Sequence, residues 1–237
     1  MKLQAFLLIS MITGLCSSYA NAQSPTLLKD INTLRGPNLG SDPQGPEDGF
    51  LAMGGWLYFT ATTPDTGREL YRCTAAPGSL TLVKDLIPGS AGANPTLLEV
   101  MGNRLFFLTE DGPGKVALWV TDGSAPNTAK LVGGLLGPAT EILAAPLNGK
   151  LIFAADDGQV GREIWISDGT ALGTGLLRDL QPGSGGCDPR CLTPLGGKVL
   201  FFANAPAAQN YELYGTDGTS AGTGLVKTPE SMSLDVM

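Results

Sequence analysis

The chain repeats itself every 46 to 49 residues, and no other feature constrains its fold as strongly. One ladder of apolar tripeptides recurs at offsets of 48, 46 and 48, and a second follows it at offsets of 48, 46 and 49. Such spacing marks a repeated supersecondary unit in which each copy buries one face on its neighbour. The first ladder comprises residues 57–59, 105–107, 151–153 and 199–201, and the second comprises residues 69–71, 117–119, 163–165 and 212–214.

Each unit contains four short candidate strands bounded by Gly, Pro, Asn or Asp. In the second unit these strands are residues 97–101, 104–109, 116–121 and 129–133, rich in β-branched, aromatic and aliphatic side chains. Four short antiparallel strands per unit match the size of a propeller blade. We therefore predict an all-β fold, a β-propeller of about four four-stranded blades, with a β-solenoid or an open repeat array as the alternative.

The repeat divides the chain into four units at residues 45–92, 93–138, 139–186 and 187–228, with a tail at residues 229–237. Residues 23–44 contain the sequence LLKDI, which resembles the last strand of a unit, and a Gly- and Pro-rich linker. Propellers often complete one blade with strands from both chain ends, so LLKDI is a candidate to close the ring beside the fourth unit. Without closure, unpaired terminal strands would promote self-association, or the chain would belong to a longer array.

The first 22 residues have the pattern of a secretory signal peptide. Lys2 precedes an apolar run at residues 3–15, and Ala20-Asn21-Ala22 supplies a small-residue cleavage pattern. This run is shorter than the roughly 20 residues that a spanning helix needs. We therefore predict export to the cell surface, the extracellular space or the periplasm, without a transmembrane anchor. Cys16 raises the alternative of a lipoprotein, although the preceding Leu15 is bulky where such signals carry a small residue.

Composition narrows the class of function. The net charge is −7, with 15 Lys and Arg against 22 Asp and Glu, which argues against a nucleic-acid partner. The chain has no histidine, and so it lacks the usual general base and the commonest zinc ligand. We therefore predict no catalytic residue and no cofactor.

An Asp-Gly pair follows the third strand in three units. An Asp carboxylate accepts hydrogen bonds from backbone amides just ahead of it, and Gly supplies the positive φ of a tight turn. Further along come Asn127, Gly173 and Gly222, residue types that tolerate a left-handed backbone. We interpret the pairs as structural turns, with a ligand or metal carboxylate as the alternative. The pairs are Asp122-Gly123, Asp168-Gly169 and Asp217-Gly218.

The full pattern resembles the ELWxxDGT repeat family of exported bacterial proteins. Residues 163–170 read EIWISDGT, and RDL and PGS follow at residues 178–180 and 182–184. The first unit departs, with Cys73-Thr74-Ala75 where Ser/Thr-Asp-Gly is usual, and the second has Ala117 for Glu and Val132-Gly133 for the Lys/Arg-Asp pair. The resemblance implies a propeller-like extracellular repeat protein. It implies no particular activity and no catalytic residue.

Three cysteines follow the predicted signal peptide. Cys187 and Cys191 lie close enough in sequence to form a small disulfide loop in an oxidising compartment. A metal site is the alternative, although no His and no second Cys pair is present. We interpret Cys73 as a small residue packed at a strand end, with a disulfide to Cys187 or Cys191 as the alternative.

The remaining candidates are aromatic and acidic. We interpret Trp119 and Trp165 as packing between blades, with stacking on sugar rings as the alternative, and the same two interpretations apply to Trp56. The sequences Glu110-Asp111-Gly112 and Asp156-Asp157-Gly158 are candidate Ca²⁺ ligands, but they lack the alternating spacing of a Ca²⁺ loop and are better explained as solvated turns.

Two hypotheses about function remain. The first is a noncatalytic binding or cell-surface interaction module, whose rigid rim recognises an extracellular glycan or protein surface. The second is a glycan-acting hydrolase with paired carboxylates in the central channel. We favour the first.

Overall fold

The computed structural model describes residues 49–139, 142–204 and 211–226. The predicted signal peptide, the LLKDI segment with its linker and the predicted tail at residues 229–237 lie outside the described residues. The described chain forms sixteen β strands, so the predicted all-β class is confirmed. In this part of the chain there is no helix with the length and apolar character needed to cross a membrane.

The strands form four sheets, each a four-stranded antiparallel meander, as in a propeller blade. Blade 1 consists of β1 (Leu51–Met53), β2 (Trp56–Thr63), β3 (Gly67–Cys73) and β4 (Thr81–Lys84). Blade 2 consists of β5 (Thr96–Met101), β6 (Arg104–Glu110), β7 (Lys115–Thr121) and β8 (Ala129–Leu136). Blade 3 consists of β9 (Ala144–Leu147), β10 (Lys150–Asp156), β11 (Arg162–Ser167) and β12 (Thr174–Arg178). Blade 4 consists of β13 (Arg190–Leu195), β14 (Lys198–Asn204), β15 (Tyr211–Thr216) and β16 (Gly224–Leu225).

The two sequence ladders become cross-strand neighbours in the middle of each blade. In blade 3, Phe153 on β10 pairs with Trp165 on β11, and their ring centroids lie 6.1 Å apart. Aromatic pairs at such separations add to the stability of a sheet. The equivalent pairs are Phe59 with Tyr71, Phe107 with Trp119, and Phe201 with Tyr214.

Consecutive blades bury their apolar faces against each other. Tyr58 and Leu70 of blade 1 share a buried cluster with Leu105 and Phe107 of blade 2. The same arrangement joins blade 2 to blade 3 and blade 3 to blade 4. The core therefore lies between the blades, as expected for a repeat that cannot bury both faces alone.

The first strands of the blades lie closest to the propeller axis. Strand β1 packs beside β5, β5 beside β9, and β9 beside β13. Among the described strands, β13 does not pack beside β1 in the same way. Blades 1 and 4 are the first and the last blade along the described chain. The fourth-strand position of blade 4 is occupied by β16.

Candidate functional site

The three Asp-Gly turns share one hydrogen-bond network. In blade 3, the amide and hydroxyl of Thr170 donate to Oδ1 of Asp168 over 2.8 and 2.7 Å, and the amide of Gly169 donates to Ser167 Oγ over 3.1 Å. Asp122 and Asp217 accept the same two hydrogen bonds from Ser124 and Thr219. Hydrogen bonds from these following hydroxyls and amides lower the pKa of all three carboxyls. The carboxylates are thus bound within their own turns.

Asn127, Gly173 and Gly222 follow the Asp-Gly turns, and the sequence predicted a left-handed backbone for them. A Cβ on Gly173 would lie 2.1 Å from the carboxyl of Asp168, and one on Gly222 would lie 2.1 Å from that of Asp217. Neither glycine has a positive φ, and neither does Asn127, so the expected left-handed backbone is wrong at these positions. In these two turns the carboxylate occupies the space that a Cβ would fill. In blade 2, Asn127 instead donates from its amide to Asp122 over 2.6 Å.

The Asp-Gly turns also receive a cation from the preceding blade. Lys84 on β4 donates to the carbonyl of Thr128 in the blade 2 turn over 2.9 Å. Arg178 on β12 donates to the carbonyls of Ser220 and Thr223 in the blade 4 turn. Blade 2 has Val132 at the equivalent position of its fourth strand, and Arg104 on β6 donates to the carbonyl of Asp168 instead. Each contact joins the edges of neighbouring blades.

We call this edge of the sheets the turn rim. It comprises the turns between first and second strands, at residues 54–55, 102–103, 148–149 and 196–197, and the three Asp-Gly turns. On it, a cleft of about 600 Å³ opens between blades 2 and 3. The lining combines the amide of Asn103 and the guanidinium of Arg104 with apolar Met101 and Pro146.

A second cleft, of about 720 Å³, lies between blades 3 and 4. It is lined by Arg178 and Asp179 of blade 3 and by Ser220 and Ala221 of the blade 4 turn. Both clefts therefore contain an arginine that binds the neighbouring turn. The two arginines lie on non-equivalent strands, the second strand of blade 2 and the fourth strand of blade 3.

The three tryptophans occupy different environments. Trp165 is only 6 % exposed, with its ring against Phe153, so a sugar ring cannot reach its face. Trp119 is half-buried and stacks on Phe107, and its indole nitrogen donates to Thr109 over 3.0 Å. Trp56 is also half-buried, and the Arg72 guanidinium lies 4.2 Å from its ring centroid. Only Trp56 and Trp119 keep accessible surface.

The acidic candidates for Ca²⁺ lie in the hairpins between second and third strands. Asp111 accepts hydrogen bonds from Lys130 Nζ over 2.6 Å and from the amide of Gly134 over 2.8 Å. Asp156 and Asp157 accept from amides of their own turn. In the described chain, His, Cys, Asp and Glu form no group of three or more that could hold a metal ion.

All three described cysteines are free thiols, so the predicted disulfide between Cys187 and Cys191 is not confirmed. Cys187 is buried and its thiol faces Glu163 Oε2 at 3.1 Å, whereas Cys191 is exposed. Cys73 is buried among Phe59, Ala61 and Tyr71 of blade 1. Burial raises the pKa of both buried thiols, which makes them poor nucleophiles.

The glutamate of the repeat has a role that sequence reasoning missed. Glu163 is fully buried, and its carboxylate accepts from the amides of Leu180, Gln181 and Cys187 over 2.9 to 3.1 Å. Glu69, also fully buried, accepts from the amides of Ile87 and Ala93. The glutamate therefore organises the link from one blade to the next. The sequence contains a signal for this link, because Ala93 and Cys187 each follow the glutamate of their unit by 24 residues.

A charged cluster at the link into blade 4 was also not predicted. Asp188 Oδ2 accepts from the hydroxyl of Tyr211 over 2.6 Å and from Arg190 Nη2 over 2.7 Å. The Arg190 guanidinium lies 4.6 Å from the ring centroid of Tyr211. Partial burial opposes ionisation of Asp188, but the hydrogen bonds from Tyr211 and Arg190 outweigh it and lower the pKa.

No protein-family model and no curated protein sequence matches the chain. Among solved structures it is similar to a puromycin-hydrolyzing peptidase of Mycobacterium tuberculosis, with 16 % identity and a TM-score of 0.46 over 77 % of this chain and 29 % of that one. It is also similar to prolyl endopeptidases, at 14 % identity and a TM-score of 0.45 over 73 % and 26 % of the chains. A third likeness is to Aleuria aurantia lectin, at 11 % identity and a TM-score of 0.40 over 76 % and 60 %. The chain thus spans less than a third of the length of both groups of peptidases.

Proposed function

We propose that the protein is an exported, noncatalytic interaction module that binds an extracellular glycan or protein surface through the turn rim. The cleft between blades 2 and 3 is the observation on which this proposal chiefly rests. Its lining includes polar Asn103 and Arg104 beside apolar Val100 and Pro146, a combination suited to a sugar or a peptide.

The surroundings of the cleft support a binding role because they are rigid. Arg104 is held by its hydrogen bond to the Asp168 carbonyl, and the Asp168 turn is closed by its own network. A Cβ on Gly54 would lie 3.4 Å from Asn103 Oδ1, so Asn103 is also next to the blade 1 turn. Sites whose groups are already in place lose little conformational entropy on binding.

The acids of the chain argue against the hydrolase alternative. Glycoside hydrolysis generally needs two carboxyl groups on either side of the bond. Of the described strands nearest the axis, β1, β5, β9 and β13, only β5 contains an acid, which is Glu99. The acids of the Asp-Gly turns are bound by neighbouring amides and hydroxyls.

The cellular location in this proposal follows from the sequence. The leader pattern at residues 1–22 and the resemblance to ELWxxDGT repeats both support export. An extracellular site suits shallow, repeated clefts, because several low-affinity contacts to one surface combine into strong binding.

A glycan array probed with the purified exported protein tests the proposal. Asn103→Ala should weaken binding about tenfold, the effect of losing roughly 1.4 kcal/mol of hydrogen bonding. Ile87→Ala is a matched control, since Ile87 is 41 % exposed in the link after β4, away from the turn rim. Equal binding by both variants would contradict a site in this cleft. Release of sugar from the bound glycan would contradict a noncatalytic module.

A further inference from the structure

Arg104 is a half-buried cation that forms no ion pair with a carboxylate of the described residues. Its guanidinium lies against the blade 3 turn, where Nη1 donates to the carbonyl of Asp168 and a Cβ on Gly169 would meet Cδ and Cζ at 3.2 Å. In the described part of the chain this carbonyl is its one hydrogen-bond acceptor, although a guanidinium has five N–H donors. A cation that is partly sheltered from water and keeps spare donors favours an anionic partner.

The acids near Arg104 already have hydrogen-bond donors of their own. The carboxyl of Asp168 accepts from the amide and hydroxyl of Thr170, and on the adjoining strand β5 Oε1 of Glu99 accepts from the amide of Val100 over 3.1 Å. Within the described lining of the cleft between blades 2 and 3 there is no Asp or Glu, and Arg104 is the one charged residue. The cleft is therefore a cationic position in a chain that has 22 acids against 15 Lys and Arg.

The other groups at this cleft match those of a sugar. Val100 and Pro146 give the lining an apolar part, and the amide of Asn103 is a residue type that both donates and accepts hydrogen bonds. A sugar ring has a C–H face and hydroxyls that complement these two kinds of group. A second cation is adjacent, because Lys150 directly follows Gly149 of the lining and is exposed.

We propose that the cleft between blades 2 and 3 binds an acidic glycan, whose sugar units carry a carboxylate, and that Arg104 recognises this carboxylate. The inference rests on the proposed function and names the class of glycan that the same site takes. With Nη1 on the Asp168 carbonyl, Nε and Nη2 form an edge that a carboxylate binds through two parallel hydrogen bonds. Lys150 adds attraction for the negative charge, which salt screens.

Isothermal titration calorimetry of the purified exported protein tests the inference. The probes are oligogalacturonate, oligomannuronate and hyaluronan oligosaccharides, each beside its methyl ester, which is the same glycan without the charge. At least one acid should bind about tenfold or more tightly than its ester, the effect of a charge-assisted hydrogen bond. High salt should reduce this preference because it screens the charges.

Two variants assign the preference to the cationic residues. Arg104→Gln should weaken binding of the acid by about tenfold or more and lower the ratio of the acid and ester affinities. A purely structural role for Arg104 would lower both affinities in proportion and keep their ratio. Lys150→Gln should weaken binding of the acid about twofold to fivefold, as expected for an exposed charge. Lys115→Gln is the matched control, since Lys115 is also exposed but begins β7 at the edge of blade 2 opposite the turn rim.

The outcomes separate this inference from the proposed function. Equal binding of every acid and its ester would overturn the inference, and so would binding of poly-glutamate without binding of any acidic glycan. Binding of neutral glycans that Asn103→Ala weakens would refute the acidic class and leave the proposed function standing. If Asn103→Ala and Arg104→Gln both bind every probe as the wild type does, the cleft is not the site and both proposals fail.

Discussion

The thiol of Cys187 donates a hydrogen bond to Glu163 Oε2 over 3.1 Å, and both residues are fully buried. The same position beside Glu69 of blade 1 is occupied by Ala93, which has no side-chain donor. As a result Glu69 Oε2 is buried without a hydrogen-bond partner among the described residues. Blades 1 and 3 thus use the same buried glutamate with different numbers of donors.

Removal of the thiol should destabilise the protein. Cys187→Ala removes the sulfur donor to Glu163 Oε2, which keeps its hydrogen bond from the amide of Leu180, and the loss of one buried hydrogen bond costs about 0.5 to 1.5 kcal/mol. The free energy of unfolding from urea titrations measures this change. Cys191→Ala is the control, because an exposed residue without such contacts should change stability by less than about 0.5 kcal/mol. Equal effects would show that the thiol contributes no specific bond.

Stability should fall as the pH rises toward neutrality because of Glu69. Burial raises the pKa of its carboxyl from 4.5 to about 7, so between these values the folded protein holds a proton that the unfolded chain releases. The contribution of Glu69 is therefore fully present below pH 4.5 and is lost as the pH rises through 7. Glu69→Gln should flatten this part of the stability profile.

Chemical denaturation at a series of pH values measures the slope. Wild type and Glu69→Gln should differ most above pH 7, where the wild type has lost its proton. Parallel profiles would contradict a proton on Glu69.

Arg104 should stabilise the contact between blades 2 and 3 more than Arg178 stabilises the contact between blades 3 and 4. Both donate to carbonyls of the next turn, but Arg104 is half-buried and Arg178 is exposed. Charged hydrogen bonds are worth about 1.5 to 3 kcal/mol when sheltered from water and less when exposed. Arg104→Ala should therefore lower the melting temperature more than Arg178→Ala. Hydrogen exchange of the Gly169 amide gives a local readout, and equal exchange in Arg104→Ala and wild type would contradict the contact.

Gly173→Ala should be destabilising, because its Cβ would lie 2.1 Å from the Asp168 carboxyl. Relieving this overlap moves the Asp168 carboxyl away from its hydrogen bonds to Thr170, at a cost of about 0.5 to 1.5 kcal/mol. Gly175→Ala is the matched control, since a Cβ there meets nothing within 4 Å. The control should be neutral or slightly stabilising, as alanine reduces the entropy of the unfolded chain. Thermal unfolding compares the two variants, and the prediction fails if their stabilities agree.

Much of the blade could be predicted from the sequence. The ladders at residues 57–59 and 69–71 indicated strands, and the structure pairs Phe59 with Tyr71 directly across β2 and β3. The role of Gly169 could also be inferred, because a tight turn after an Asp needs the positive φ that it has, 86°. These features depend on residues close together in the chain, and so they appear in its local pattern.

The sequence by itself determined the period, the strands and the turn chemistry of this protein, since all of these depend on neighbours within one unit. The tertiary structure decided that Trp165 is buried and that Cys187 donates to Glu163. It also decided that Arg104 of β6 binds the blade 3 turn, because β8 has Val132 at the position where β4 and β12 have a cation. These outcomes depend on how one blade meets the next. Which residues of two blades come into contact depends on how the blades pack in three dimensions. The repeat pattern describes one blade and does not encode this packing.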